Sequence, residues 1–207
     1  QLFIKNRIRT PNYFFLNRKD YLSVNLMKKI KKNKLNFPIV IKPNDEGSSI
    51  GVKICKNLNS LKTQFKKSNK NYDNLIFETY IPGKEIQVAV VGGKSIGAIE
   101  LRPKRKFYDY KAKYKKSAKT QHIMPAEISK KKYREVLRIS KKANKILKCK
   151  GIVRCDFRFY KNKFFLLEVN TQPGMTSLSL VPEIAKHSKI SFVQLVKWMA
   201  NDASINR

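Results

Sequence analysis

The chain is poor in acid. Its 14 Asp and Glu stand against 46 Lys and Arg, a net charge of +32 over 207 residues. That excess argues first for a polyanionic partner such as nucleic acid. The lysines run along the whole chain rather than in one tail, however, and a solvated surface from a lysine-biased proteome has the same pattern. Histidine is scarce: His122 and His187 are isolated and read as ordinary side chains. Cysteine is scarce too. Cys55, Cys149 and Cys155 are odd in number and scattered, with no CxxC, which argues against a disulfide framework or a zinc site and fits reduced cytosolic thiols. No apolar run approaches the ~20 residues that cross a bilayer. The first residues, Gln1–Arg7, carry no hydrophobic signal region and no small-residue cleavage site. No initiator Met is present, so the chain is expected to be part of a longer one. Internal repeats and low-complexity linkers are absent. What is there is a 42% hydrophobic content, enough to fill a core in one large domain or two small ones.

The local pattern predicts an amphipathic helix over 22–33, a strand over 38–42, a loop over 43–51 and a strand resuming at 52–54. A helix near 59–67 is expected, capped by Asn59 or Asn57, and then a strand over 75–79. The stretches 85–91 and 95–101 flank Gly92-Gly93, a strong hairpin signal. Residues 103–120 read as a long basic, aromatic loop. Ser129 caps a helix with a stripe of Tyr133, Val136, Leu137, Ile146 and Leu147, and Ser191 caps a last helix with Phe192, Leu195, Val196 and Met199 on one face. Both stripes read as core. Strands joined mainly by hairpins, with helices between, predict α+β layers rather than a doubly wound sheet.

The stretch with most chemistry is Leu167-Glu168-Val169-Asn170-Thr171-Gln172-Pro173-Gly174. Residues i and i+2 of a strand share a face, so Glu168 and Asn170 present oxygens side by side. Asp156 precedes Glu168 by twelve residues, and a hairpin turning near Lys161-Asn162 brings the two opposite each other to within one residue. Two facing carboxylates repel unless a cation lies between them, and oxygen-only donors suit Mg²⁺ with phosphates. Arg154 shares the face of Asp156, so a salt-bridged sheet surface is the alternative.

Three further motifs stay ambiguous on their own. Lys42 at a strand end faces the loop Glu46-Gly47-Ser48-Ser49-Ile50-Gly51. This is either a phosphate cradle of backbone N–H groups and hydroxyls or a plain hairpin connection, and it is not a Walker A. The strand and turn Phe77–Glu85 hold two carboxylates beside apolar neighbours, suited to a nucleoside or to nothing but a charged turn. The run Lys104–Lys116 interleaves basic and aromatic residues, as in a stacking platform for single strands or a lid closing over nucleotide and substrate.

Taken in order, these pieces resemble the D-alanine–D-alanine ligases of the ATP-grasp superfamily. The resemblance runs through Ile39–Pro43, Glu46–Val52, Glu78–Glu85, Phe107–Tyr114, Gly151–Asp156 and Leu167–Pro182, and covers about residues 10–200. It implies two α+β subdomains with mainly antiparallel sheets gripping ATP. Residues 1–85 would be the central subdomain, with phosphate loop 42–51 and adenine strand 77–85. Residues 86–207 would be the C-terminal one, with lid 103–120 and the metal and second-substrate site at 151–182. The family's N-terminal domain, which serves the first D-alanine, would lie ahead of residue 1.

The implied roles follow position by position. Lys42, Ser48 and Ser49 would hold ATP phosphates; Glu78, Tyr80 and Ile81 would frame adenine; Glu85 would take the ribose. Lys113 would reach the transferred phosphate, and Tyr114 and Ser48 would orient the lid. Asp156, Glu168 and Asn170 would bind two Mg²⁺ (or Mn²⁺). Arg154 and the N–H of Gly174 would form the oxyanion site, and Ser179 and Leu180 would hold the second D-alanine's carboxylate. The implied activity is ATP-dependent joining of two D-alanines through a D-alanyl phosphate, a cytoplasmic step in peptidoglycan precursor and cell-wall synthesis, by a possible homodimer with no membrane and no specific nucleic-acid partner. Lys113-Tyr114 matches the dipeptide-forming rather than the depsipeptide-forming type, and Lys111 stands where the family commonly has glutamate. The competing expectations are a truncated core that binds Mg-ATP without turnover and a basic nucleic-acid-binding module.

Overall fold

The computed structural model describes residues 1–47, 49–103, 120–176 and 178–204. The expected lid, with Lys113 and Tyr114, lies outside the described residues apart from its ends, as does Ser48. Two compact units emerge. One is built from Pro11–Ile81; the other joins Gln1–Thr10, Pro82–Arg102 and the chain from Thr120 onward. The expected division falls after Glu85, whereas the units part at Ile81–Pro82 and the first ten residues belong to the second unit.

The first unit is a four-stranded antiparallel sheet in the order β1–β4–β2–β3, from β1 (Tyr13–Asn17), β2 (Ile39–Pro43), β3 (Lys53–Cys55) and β4 (Asn74–Thr79). Period-2 alternation sends Ile39, Ile41, Leu75 and Phe77 to one face, where all are fully buried. Helices α2 (Leu26–Lys32) and α3 (Leu58–Asn71) contribute Ile30, Leu61 and Phe65 to the same core. Phe14 stacks on Phe77 with centroids 4.6 Å apart. Tyr21 donates its hydroxyl to Tyr72 O at 3.1 Å, and burial, helped by Asp73, pushes its phenol up to about 12. Helix α2 is shorter than expected because the Asn25 side chain accepts the Lys28 N–H and starts the helix there. Asn57 rather than Asn59 caps α3, in a reciprocal box with Ser60. Strand β1 had no counterpart in the expectations.

The second unit is a five-stranded antiparallel sheet, β7–β6–β5–β8–β9, from β5 (Lys84–Val91), β6 (Lys94–Arg102), β7 (Gln121–Ile123), β8 (Ile152–Tyr160) and β9 (Lys163–Asn170). Lys161 and Asn162 turn the last hairpin with φ of 46° and 59°. Residues 1–10 are tied to this sheet: Leu166 donates its N–H to Arg9 O, and Ile8 enters the core, behind the short helix α1 (Leu2–Lys5). One sheet face, Ile86, Val88, Cys155, Phe157 and Leu166, is covered by α4 (Lys130–Ile146), capped by Ser129 as expected. At the end of this face Glu100, with a side chain 2% exposed, is satisfied by Lys84 at 2.9 Å and Arg102 at 2.7 Å. Arg102, with Lys84 behind it, also holds the Glu127 carboxyl below its ordinary range.

Helix α5 (Leu180–His187) follows on the sheet's other face. Gly97, paired with Ala89, receives Ile184 so closely that a Cβ would come within 2.9 Å of its Cγ2. Pro182 sits in the helix's first turn, where its missing N–H costs nothing; the sequence analysis assigned no element to this stretch. The last helix, α6 (Phe192–Asp202), corrects an expectation. Of its presumed core stripe only Leu195 is buried, while Phe192, Val196 and Met199 are exposed. The helix packs through Leu195 and through Trp198, whose ring lies where a Gly92 Cβ would point, and so buries only a narrow strip. Leu147, at the C-cap of α4, is likewise exposed.

Candidate active site

Each unit carries its polar candidates on the sheet face opposite its core. In the first unit Glu78 pairs with Val40 and Lys42 with Ile76 across the β2–β4 ladder, so the two are diagonal neighbours. Lys42 Nζ donates to Glu78 Oε1 at 2.9 Å, with both side chains mostly buried. Strand β2 leads into a tight loop. Asp45 accepts hydrogen bonds from the amides of Asn44 and Asn74, which hold its carboxyl below the ordinary range. Ile50 donates its N–H to Gly47 O at 2.9 Å. Ser49 holds a left-handed φ of 64°, uncommon for a residue with a Cβ. Gly51 (φ +70°) lies so close to Pro43 that a Cβ would approach its Cγ to 2.6 Å. The Tyr80 N–H donates to Pro38 O at 2.9 Å, which fixes the start of the segment after β4.

In the second unit the polar face is set by pairing across three strands. Gln87 opposes Asp156, and Asp156 opposes Glu168; Ala89 opposes Arg154, and Arg154 opposes Asn170; Glu85 opposes Arg158. The Arg154 guanidinium binds both carboxylate oxygens of Asp156, at 2.7 and 2.9 Å, and reaches Glu168 at 3.9 Å. Arg158 bonds Glu85 Oε2 at 3.2 Å. The salt bridge and the facing pair of carboxylates are therefore both present on one sheet face.

Beyond β9, Asn170 Oδ1 accepts the Gln172 N–H at 3.0 Å and turns the chain. Ser179 precedes α5 without capping it by its side chain. Its hydroxyl instead accepts the Thr176 N–H at 3.0 Å and meets Thr176 Oγ1 at 2.9 Å. A Cβ on Gly174 would come within 2.8 Å of the same hydroxyl. Gly174, Thr176 and Ser179 thus form one small polar cluster at the head of α5, where the backbone N–H groups of a helix start favour an anion.

The donor set fits magnesium. Asp156 and Glu168 face each other and Asn170 follows on the same strand, so all three offer oxygen. Among the described residues no group of three or more His, Cys, Asp and Glu gathers to hold a metal. Two carboxylates and an amide leave positions for phosphate oxygens and water, as magnesium sites usually do. Beside them Gln87, 1% exposed, has an Oε1 with no partner among the described residues, an orphan that only a polar ligand or water can satisfy.

Several neighbours escaped the sequence reading. Gln87 and Arg158 were legible as i+2 partners of Glu85 and Asp156. Glu183 of α5, by contrast, reaches His122 Nδ1 at 2.6 Å, so His122 is not isolated. Sequence spacing contains no sign of that contact.

The model of the C-terminus of D-ala D-ala ligases matches residues 2–201. A D-alanine–D-alanine ligase of Pelagibacter ubique (strain HTCC1062) is 54% identical over 207 residues, covering all of this chain and 67% of its own length. One of Wolbachia pipientis subsp. Culex pipiens (strain wPip) is 41% identical over 209 residues, covering 63% of its length. Among solved structures, the D-alanine–D-alanine ligase of Bacillus anthracis superposes with a TM-score of 0.84 at 31% identity, over 97% of this chain and 64% of its own. The same enzyme complexed with ATP gives 0.82 at 26% identity, over 97% and 62%. The chain spans about two thirds of the length of these relatives.

Proposed function

This chain belongs to the D-alanine–D-alanine ligase family, in its C-terminal part, and from that premise we propose that it supplies the ATP-handling machinery of a D-alanyl-D-alanine-forming ligase. The observation that carries the reading is the in-register pair Asp156–Glu168 with Arg154 bonded across it, on a sheet whose relatives include a ligase solved with ATP.

Lys42, Ser48 and Ser49 hold the phosphates. Glu78, Tyr80 and Ile81 frame the adenine, and Glu85, oriented by Arg158, takes the ribose. Glu78 loses nothing by this role, since its Lys42 contact uses only Oε1 and leaves Oε2 as an acceptor. Magnesium held by Asp156, Glu168 and Asn170 would offset phosphate charge as it builds up during transfer. The first D-alanine's carboxylate oxygen attacks the γ-phosphorus; the P–O bond to ADP breaks, leaving an acyl phosphate. The amine of the second D-alanine attacks the acyl carbon. Arg154 and the Gly174 N–H stabilise the tetrahedral oxyanion, and phosphate leaves as the peptide bond forms. Ser179, held by Thr176, and the Leu180 N–H at the start of α5 fix the second carboxylate. Lys113 neutralises the moving phosphoryl group, and Tyr114 and Ser48 orient the lid, whose closure excludes water that would hydrolyse the acyl phosphate. Three free thiols, two of them buried, suit a reducing cytoplasm. A homodimer suits the family.

The test is phosphate release from Mg-ATP, with and without D-alanine, on the protein and on Asp156→Asn. The expected outcome is D-alanine-dependent release that falls roughly 10²-fold or more in the variant, as when one transition-state contact is removed. Tight Mg-ATP binding without D-alanine-dependent release would reduce the chain to a nucleotide-binding core. No Mg-ATP binding at all would overturn the nucleotide assignment.

A further inference from the structure

Helix α4 carries a feature that nucleotide handling does not use. Its inner side, Val136, Ser140, Ala143 and Asn144, is buried against the sheet. On the outside, Lys131, Arg134, Arg138, Lys141, Lys142 and Lys145 are all exposed. At 3.6 residues per turn these six fall within a wedge about 100° wide, and no other residue of the helix points into it. The wedge runs about 21 Å along the axis, with one cation per roughly 4 Å. None of the six has an acidic partner among the described residues. The helix's single acid, Glu135, lies outside the wedge and pairs with Lys132 at 2.8 Å.

Such a stripe works against the helix itself. Arg134–Arg138, Arg138–Lys142 and Lys141–Lys145 are like-charge pairs at i,i+4, each mildly destabilising. The other outer faces are less uniformly basic. On α3 the exposed Lys62, Lys66, Lys67 and Lys70 share their side with Asn59, Thr63 and Asn71, and the exposed side of α6 mixes Phe192, Val193, Val196 and Met199 with Gln194, Lys197 and Asn201. A bilayer fits poorly, since the apolar side of α4 is committed to the core and has nothing to insert. A phosphate backbone fits well: one strand carries a charge every ~3.4 Å along the duplex axis, close to the spacing of the stripe.

We propose that the outer face of α4 binds the phosphate backbone of nucleic acid, without reading sequence. Contact releases condensed counterions, so affinity falls steeply with salt. This surface is independent of the nucleotide site and of the ligase reading.

The experiment is fluorescence anisotropy of a labelled 20-nucleotide single strand, without ATP, between 50 and 200 mM salt. Two six-site Gln variants are compared with the parent: the α4 set, and a control set of Lys28, Lys29, Lys62, Lys66, Lys67 and Lys70 on α2 and α3. Lys and Gln have similar helix propensity, and circular dichroism checks the fold. With six contacts the parent should lose roughly 10²-fold or more in affinity over that range, at a slope of about 0.7 per phosphate. The α4 set should flatten that slope and the control set should keep most of it. Lys141→Gln/Lys142→Gln alone should lower the slope by about 1.4, which preserves the test if the six-site variant fails to fold. Equal losses in both sets would show that diffuse charge, not the stripe, does the binding and would overturn the proposal. So would an absence of binding by the parent, or binding to vesicles containing phosphatidylserine that depends on the six cations while the oligonucleotide is ignored.

Discussion

The two faces of the five-stranded sheet are made by the same strands and differ in nearly everything else. Ile86, Val88, Cys155 and Phe157 point to one side and are fully buried beneath α4. Glu85, Gln87, Arg154 and Asp156 alternate with them on the other side and are occupied mainly with one another. The apolar face gains free energy from burial, roughly 1.5–3 kcal/mol for each large side chain. The polar face gains little, since desolvation of part-buried ion pairs cancels much of their attraction. At β5 and β8 one face holds the sheet and the other carries charges for a ligand, while over β6 that second face is packed by α5. Substitutions a single residue apart should therefore separate stability from chemistry.

The sharpest contrast is between Phe157 and Asp156. Phe157→Ala empties a fully buried site beside Phe164 and should cost about 3–5 kcal/mol in urea unfolding, while the folded fraction still binds Mg-ATP. Asp156→Asn removes the charge and one of the two acceptor oxygens that bind the Arg154 guanidinium. It should cost about 1–3 kcal/mol while removing turnover. If Asp156→Asn proved the more destabilising of the two, the division of labour between the faces would be wrong.

The hairpin itself shows how far sequence reaches. Alternation and the Lys161-Asn162 turn were enough to predict β8 and β9 and to bring Asp156 near Glu168. Counting back from that turn pairs Tyr160 with Lys163 and Phe157 with Leu166; regular counting would then set Asp156 against Leu167. A bulge between Asp156 and Phe157 skips one residue and delivers Glu168 instead. Composition does not mark that bulge, because it depends on how two strands twist together. The exposed side of α6 failed for a related reason: periodicity shows that a helix has an apolar stripe, not that anything covers it. Tertiary contacts such as His122–Glu183 were invisible for the same cause.

A milder effect should separate the faces by pH. Burial, with Asp156 adding to it, pushes the Cys155 thiol up to about 12, and burial pushes Cys55 up to about 11. The unfolded thiols ionise near their ordinary 9.0, so above that pH the unfolded state has lost protons the native state keeps. Stability from these groups is full below about pH 9 and is lost as pH rises toward 11–12. The urea midpoint should fall between pH 9 and 11, less steeply in Cys155→Val, which has no proton to lose. Equal slopes would mean that Cys155 ionises freely in the native sheet. At pH 8 a thiol reagent should label the half-exposed Cys149 well before the other two.

The smallest effect is expected at Gln87, the point where the two faces are hardest to tell apart. It is as buried as the apolar residues beside it, yet it lies on the polar side opposite Asp156. Its Nε2 makes only a long contact of 3.4 Å to Glu85 Oε1, and its Oε1 has no partner among the described residues. A buried acceptor without a donor costs free energy that an apolar isostere does not. Gln87→Leu should therefore leave the unfolding free energy unchanged or raise it by up to about 1 kcal/mol, measured in urea without ligand. Loss of more than that would mean the amide is satisfied in the free protein, and the polar face would then owe part of its stability to a hydrogen bond at this position. A gain would instead mark Gln87 as a residue kept at a cost to the fold, as polar groups facing a ligand site commonly are.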